Sequence, residues 1–462
     1  MQPNETTRAL QQQSAGSNAK IVDTTLLFEE LRRAYCRTQS PVEVDFRQVV
    51  SWLKIGDQLT HQIHPYPAKL LPHIAHFFLH CRNSNADQHV LDPFCGSGTV
   101  ALEASLAGYT PLVADANPLA LLITKVKTTP YNVEQLKAGV AEITERAARL
   151  RTAPVAKIVN AEKWYSQDVK RRLEILLRAI KEHDDTDAKD FFLLCFSGVA
   201  RKVSRIDPAI SVPVRLRTKD VFSQQQNARI LERLSWIETA RPLEEFFRIS
   251  HANIDRVRAA NDASPNRKAA TVVSQDARML TSDSMPTAGV PLIITSPPYG
   301  TAQKYVRASS ISLNWLELAL PDQLATFEAK SIGREHSPAY RQEACTAALP
   351  VDLELLLFEV SQKNPLRAHI TRQYLFELKI ALLEIYEKCA AGGRIVLVIG
   401  NNEVCGKTLK TNEYIVSVMQ ELGCDDEMVL VDQIKSRGLI TKRNGTASVI
   451  AREFIMVFKK PN

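Results

Sequence analysis

VLDPFCGSGTVALEASLAGYTPLVADANPLA, residues 90–120, decides how this chain folds. A short apolar run, His89–Asp92, reads as a strand and stops at an acid. Gly96 and Gly98 then remove side chains from a tight turn, so a ligand can approach the backbone closely. Thr99–Ala107 reads as a helix, stopped by Gly108 where a left-handed residue is wanted. A second strand, Pro111–Asp115, ends in another acid 23 residues after the first. Strand, glycine turn, helix, strand is the opening unit of a doubly wound α/β sheet. The free N–H groups at the helix start favour negative charge. An acid at the tip of the second strand stands where dinucleotide folds hold ribose hydroxyls. The phosphate pattern GxGxxG is absent, because Thr99, Val100 and Ala101 follow Gly98, and no GK[ST] follows to make a phosphate loop. A ligand with a ribose and no phosphate suits the turn better.

Working outward, Ala270–Ser274, Val290–Thr295 and Arg394–Ile399 read as further parallel-type strands, and Glu427–Val431 with Ser448–Phe458 as a closing hairpin. Val290–Thr295 runs into SPPYG, residues 296–300. Two prolines stiffen this strip and leave its carbonyls outward. The hydroxyl of Ser296 and the carbonyl of Pro297 can accept from an amino group, and Tyr299 can stack on a planar ring. Two long stretches, about 131–268 and 301–365, interrupt the sheet. NAEKWYSQDVKRRLEILLRAIKEH, in the first, sets Trp164, Val169, Leu173, Leu176 and Leu177 at helix-like spacing.

The chain has 462 residues, 45% of them hydrophobic, which is enough for a substantial core and excludes global disorder. No apolar run is long enough for a membrane helix, and the polar N-terminus is no signal peptide. Its eight cysteines are scattered singly with no CxxC pair, so neither a disulfide framework nor a zinc ribbon is expected, and the cytoplasm is the expected compartment. The net charge of +7 is concentrated. Arg201, Lys202, Arg205, Arg215, Arg217, Lys219 and Arg229 stand against Asp207 and Asp220, and a second basic run occupies residues 433–460. Such runs suit phosphate contact, although a solvated face is an equal reading.

DPFCGSGT and TSPPY together resemble the cofactor loop and the [DNS]PP[YFW] catalytic motif of bacterial amino-group DNA methyltransferases. The serine version is most similar to the cytosine-N4 type. IHPYPAKLLP (63–72), VVSQDARML (272–280), GGRIVLVIGNN (392–402), DQIKSRG (432–438) and IAREFIMVFKK (450–460) resemble further segments of that family, and the likeness covers about 45–130, 269–315 and 370–460. The resemblance implies an α/β, Rossmann-like S-adenosylmethionine-dependent methyltransferase sheet with large, mainly helical insertions. It implies S-adenosyl-L-methionine as cofactor, contacted by Asp92, Phe94, Gly96, Gly98 and Asp115, with Lys69 at its carboxylate, Asn117 at the ribose and Asp276 at the adenine amino group. Ser296, Pro297, Pro298 and Tyr299 would hold the target base. The partner it implies is double-stranded DNA, with a cognate restriction endonuclease, acting separately, as a further partner such enzymes can have. The expected setting is a bacterial cytoplasm, on the nucleoid.

The expected divisions are a tail at 1–20, the cofactor-binding half at 21–130, a helical insertion at 131–268 as target-recognition candidate, the catalytic motif at 269–300, a second insertion at 301–365 and the C-terminal part of the sheet at 366–462. Adenine-N6 methylation is the first alternative. An RNA or protein amino substrate comes next, and last a DNA-binding protein that keeps the cofactor site without chemistry. Carbon-5 cytosine chemistry needs a cysteine after a proline, and no Pro-Cys dipeptide occurs; Cys95 reads as a small packing residue. His73, His76 and His80, with Cys81 and His89 nearby, share a helix with Ile74, Phe77, Phe78 and Leu79, so packing is preferred to metal ligation. Trp315 reads as core, Lys304, Tyr305 and Arg307 as equally a DNA contact or not, and the acidic run 182–190 as an interhelical turn.

Overall fold

The computed structural model describes residues 23–51, 53, 59–67, 69–81, 88–300, 304–334, 349–434 and 451–462. The expected tail at 1–20, residues 435–450 of the second basic run and the start of the last hairpin strand lie outside the described residues.

In chain order the strands are β1 Val42–Glu43, β2 His89–Asp92, β3 Thr110–Ala114, β4 Thr271–Ser274, β5 Val290–Thr295, β6 Cys389–Ile399, β7 Asn402–Val404, β8 Lys407–Leu409, β9 Asp425–Gln433 and β10 Arg452–Lys459. Eight of them form one sheet in the order β1-β9-β10-β6-β5-β2-β3-β4, while β7 and β8 make a small hairpin of their own. All neighbours in the large sheet are parallel except β10, which runs antiparallel to both β6 and β9. The chain winds outward from β2 through β3 to β4, then returns to the other side of β2 as β5 and winds on to β6. The point of reversal lies between β2 and β5, and ligands of open α/β sheets bind outside the strand ends at such a point.

Side-chain alternation builds the two layers that cover the sheet. Val90, Leu292, Val396 and Val398 face a core shared with the helices Thr25–Thr38 and Pro72–Leu79. Leu91, Ile293, Ile395 and Leu397 face the opposite core, shared with Pro365–Lys388 and Thr411–Glu421. The expected Rossmann-like sheet with large helical insertions is the fold the chain adopts.

Several boundaries differ from the sequence reading. β3 ends at Ala114 rather than Asp115, because both Asp115 carboxylate oxygens are drawn into backbone bonds that turn the chain. β4 begins at Thr271, since the Ala270 N–H donates to Thr128 Oγ1 instead of the ladder. β6 starts at Cys389, not Arg394; a register shift between Val290 and Leu292 of β5 accommodates the glycine-containing stretch before Arg394. β9 and β10 do form the closing hairpin, with β9 running from Asp425 to Gln433.

The stretch 131–268 is helical as read, with main helices Val133–Arg149, Gln167–Lys181, Thr186–Lys202, Gln224–Glu238 and Pro242–Ala263. The single helix expected across Trp164 and Val169 is two. Ala161–Trp164 stops, and Ser166 caps a fresh start by accepting from the Val169 N–H. Of the acidic run 182–190, only residues 182–185 form the expected interhelical turn; Asp185 caps the next helix, and Thr186–Asp190 are its first residues, because acids suit a helix N-terminus. These helices share one core with Ile123 and Val126 of Pro118–Thr128 and with Trp315 of Tyr305–Trp315. Trp315 therefore belongs to the core of the first insertion, although it lies in the second. Among the described residues no helix is long and apolar enough to cross a membrane.

Candidate active site

The ends of β2 and β5 meet at the reversal point. Thr295, the last residue of β5, donates its hydroxyl to Asp92 Oδ1 at 2.6 Å, and the Phe94 N–H reaches the same oxygen at 3.2 Å. The glycine turn then folds back, its Gly98 N–H on Cys95 O at 2.7 Å. Gly98 sits at φ +68°, and a Cβ there would lie 2.6 Å from Thr124 Oγ1. This position admits glycine for two reasons at once: the left-handed backbone and the close approach of Pro118–Thr128. Asp115 accepts from the Gly96 and Asn117 N–H groups, both at 2.8 Å, and so ties the tip of β3 to the turn. A carboxylate has about four acceptor directions, so this acid retains capacity for a ligand. Cys95 is buried beside Thr124 and its thiol is pushed far up by burial, which fits a packing residue.

Burial also drives the two acids upward, Asp92 to about 7 and Asp115 to about 6, partly offset by the hydrogen bonds just named. The sign of the pH dependence follows. An acid with a raised folded pKa lends stability at low pH, and that stability is lost as pH rises from the unfolded value toward the folded one. The melting temperature of the ligand-free wild type relative to Asp92→Asn is therefore expected to fall between pH 4 and pH 8. A flat difference across that window, measured by calorimetry, would contradict the burial of an ionisable Asp92.

The SPPYG strip is held on three sides. Tyr374 donates its hydroxyl to Pro298 O at 3.1 Å, and its ring leaves no room for a Cβ at Gly300. Asn402 Nδ2 donates to Gly300 O. Tyr299 donates its hydroxyl to Glu453 Oε1 at 2.8 Å. Burial and the neighbouring Glu453 push the Tyr299 hydroxyl well above its ordinary value, and burial likewise raises Glu453.

One cleft of about 1240 Å³, its open mouth included, brings together Lys69, Asp92, Phe94, Gly96, Asp115, Asn117, Asp276, Ser296, Pro298 and Tyr299. Gly98 and Pro297 are not in its wall; both are buried behind it. Lys69 donates to His61 O at 3.0 Å. Asp276 is gripped by Arg278 at 2.8 and 2.9 Å; burial opposes its charge, but the guanidinium wins and holds it below the usual carboxylate range. The Asn117 side chain caps Pro118–Thr128 through the Leu119 N–H and donates to Tyr66 and Ser309. Tyr305 lines the cleft, while Arg307 is exposed.

Glu453, Tyr374, Thr295, Tyr66 and Asn402 were not singled out by the sequence reading. Tyr66 and Asn402 lie in the family-like segments 63–72 and 392–402, and Thr295 leads TSPPY, so signals existed for them. Glu453 is an acid inside a basic run, which was a signal missed. Of the histidine cluster, His73 is buried and the half-buried His76 lies 3.4 Å from the buried Glu103, whose other partner is His61 at 2.7 Å. Trp315 donates its Nε1–H to Tyr165 at 3.0 Å.

Residues 62–174, which span the turn, match the model of the RMKL-like methyltransferase domain. The chain carries a methyltransferase domain. It is 25% identical over 280 residues to the type II methyltransferase M.MvaI of Kocuria varians, covering 58% of this chain and 59% of that protein. It is 36% identical over 77 residues to the type II methyltransferase M.MjaII of Methanocaldococcus jannaschii, covering 17% of this chain and 14% of that one. The chain thus spans less than two thirds of the length of these relatives. A solved structure of a candidate DNA modification methylase from Thermus thermophilus, complexed with S-adenosyl-L-methionine, is 20% identical over 40% of this chain and 54% of that one, with a TM-score of 0.21. At that score the fold assignment rests on the strand order and not on this likeness. The glycine turn within that matched stretch and the SPPY strip outside it are tied to each other by the bond from Thr295 to Asp92.

Proposed function

We propose that this chain is an S-adenosylmethionine-dependent DNA methyltransferase acting on the exocyclic 4-amino group of cytosine. The observation that carries the reading is the 2.6 Å bond from Thr295 to Asp92, which sets an amine-binding strip directly against a ribose-type cofactor turn. The cleft suits the cofactor: Asp115 keeps acceptor capacity, and a Cβ at Gly96 would meet nothing closer than Tyr66 at 3.6 Å and Phe94 O at 4.0 Å, so the backbone can be approached by a ligand. Asp115 would hold the ribose hydroxyls, Lys69 the carboxylate and Asp276 the adenine amino group, and Phe94 would supply an apolar wall. Asn117 and Gly98 act by position, one as a helix cap and the other as the pivot between two helices. When bound, the cofactor supplies an electrophilic sulfonium methyl.

The amino nitrogen of cytosine is a poor nucleophile because its lone pair is delocalised into the ring. Ser296 Oγ, in the wall of the cleft, accepts one of its hydrogens and so draws the nitrogen toward a tetrahedral shape, with its lone pair free to attack. No covalent intermediate is required, and positioning of this kind supplies as much as about 7–11 kcal/mol. The base must leave the duplex at a cost of a few kcal/mol. Stacking on Tyr299, about 1–3 kcal/mol per base, offsets much of that, and the bond to Glu453 fixes the plane of the ring. The serine in the strip favours cytosine over adenine.

Single-molecule sequencing of DNA from a methylation-deficient host expressing the chain should find N4-methylcytosine at a defined motif. N6-methyladenine would keep the mechanism and replace the base, and unmodified DNA would overturn the reading. A finer expectation separates the two parts of Tyr299. Tyr299→Ala should lower kcat/KM by about 5- to 150-fold, the equivalent of the stacking energy. Tyr299→Phe should keep most of that activity yet lose about 1–3 kcal/mol of stability, because Glu453 is left buried without its donor. Equal activity losses in the two variants would argue that the hydroxyl, not the ring, serves the base.

A further inference from the structure

The helical insertion holds a second cavity whose wall carries five cations, Arg201, Lys202, Arg233, Arg248 and Arg256, and, among the described residues, no carboxylate. Three helices contribute them: Thr186–Lys202, Gln224–Glu238 and Pro242–Ala263. One acid outside the wall, Glu245, takes both Lys202 and Arg248 at 2.8 Å. The bonds of the other three go to neutral oxygens. Arg201 donates to Ile210 O at 3.2 Å, Arg256 to Asn253 Oδ1 at 2.7 Å, and Arg233 to Lys202 O while its guanidinium lies 4.3 Å over the Trp236 ring. Burial pushes Arg201 and Arg233 below their ordinary values. Cations drawn partly out of water beside neutral acceptors are costly, and an anion offsets that cost. Guanidinium forks match the tetrahedral oxygens of phosphate in particular.

The cavity neighbours the candidate active site, with one further cavity between them. Pro65, Arg201 and Pro208 also line a neighbouring cavity that reaches Tyr66, and Tyr66 lines the active cleft. We propose that the five-cation cavity seats a backbone phosphate of the DNA strand whose base enters the cleft. The proposal rests on the DNA reading above and adds to it the place where the strand is held.

The test uses the full chain and a labelled duplex oligonucleotide, with binding followed by fluorescence anisotropy over a range of salt concentrations. The double variant Arg248→Gln/Arg256→Gln should bind more weakly, and the slope of log K against log salt should shrink by about 0.9 for each phosphate that the variant no longer neutralises. Affinity for S-adenosylmethionine should be unchanged. Arg258→Gln, on the same helix but paired with Asp255 at 3.2 Å and outside the cavity wall, should leave the slope alone. The Arg248→Lys/Arg256→Lys variant keeps the charge and should keep most of the slope, which guards against a folding defect in the glutamine pair. Wild-type binding with the same slope in the glutamine variant would overturn the proposal while sparing the DNA reading. Failure of the wild type to bind any duplex would overturn both. A rise in melting temperature with inorganic pyrophosphate that depends on Arg248 and Arg256, alongside an unaltered DNA slope, would make the cavity a small-anion site and overturn the strand assignment.

Discussion

Ser296→Ala is expected to lower kcat by about 10- to 150-fold while leaving the affinity for S-adenosylmethionine within about twofold of wild type. The range is that of a hydrogen bond to a group developing charge, about 1.5–3 kcal/mol. The split between turnover and affinity follows from place. Ser296 lies just beyond the end of β5, in the wall of the cleft, whereas Asp115 and Gly96 form their own bond on the other side of the reversal point. Single-turnover methylation and cofactor titration by calorimetry separate the two quantities. Unaltered turnover would remove Ser296 from the mechanism; a large loss of cofactor affinity would mean that the strip supports the turn and does not act on the amine. Ser296→Asp, which restores an acceptor, should recover part of the rate.

Trp315→Ala is expected to cost about 3–5 kcal/mol of unfolding free energy, the usual penalty for deleting a large aromatic from a core. The side chain is fully buried, its ring packs edge-on to Tyr165 and Phe196 at 5.6 Å, and its Nε1–H donates to the Tyr165 hydroxyl. The effect should reach the cleft as well. Ser309, on the same helix as Trp315, accepts from Asn117, and Asn117 caps the helix against which Gly98 is pressed. Denaturant unfolding of Trp315→Ala and Trp315→Phe would check this. A loss below about 1 kcal/mol in the alanine variant would mean that Tyr305–Trp315 does not share a core with the helices of the first insertion.

The parts of this molecule that were legible in the sequence are those set by neighbours along the chain. β2 and β5 are bounded by an acid and by a proline pair, so their limits could be read directly. The turn after Asp92 announces itself through glycine. What escaped depends on contacts between distant segments. Nothing near Tyr374 marks it as the residue that holds Pro298, seventy-six positions away. Trp315 looked like part of a separate insertion because its partners, Tyr165 and Phe196, lie far upstream. Asn117 looked like a ribose contact, and only the fold reveals how much of its side chain is committed to Leu119, Tyr66 and Ser309. Charge runs are similarly opaque. Arg205 looked like an equal member of a phosphate-binding face, yet it is paired with Glu238, while Arg215, Arg217, Lys219 and Arg229 stay exposed.

The antiparallel strand β10 sits between β6 and β9, in the interior of the sheet, although it is the last of the strands along the chain. Synthesis is vectorial, at about 5–20 residues per second. For several seconds, therefore, the ribosome displays β6 and β9 with no strand between them, both apolar and both with open edges. Unpaired edges of this kind recruit other chains. β10 also carries Glu453, the partner of Tyr299, so the aromatic face of the cleft gains its tether only when the sheet zips shut. A nascent chain of this protein would pair β2 with β3 early and close the sheet beside the SPPY strip only once β10 emerges, and conditions that slow elongation between β9 and β10 should raise aggregation more than they lower the activity of the molecules that escape it.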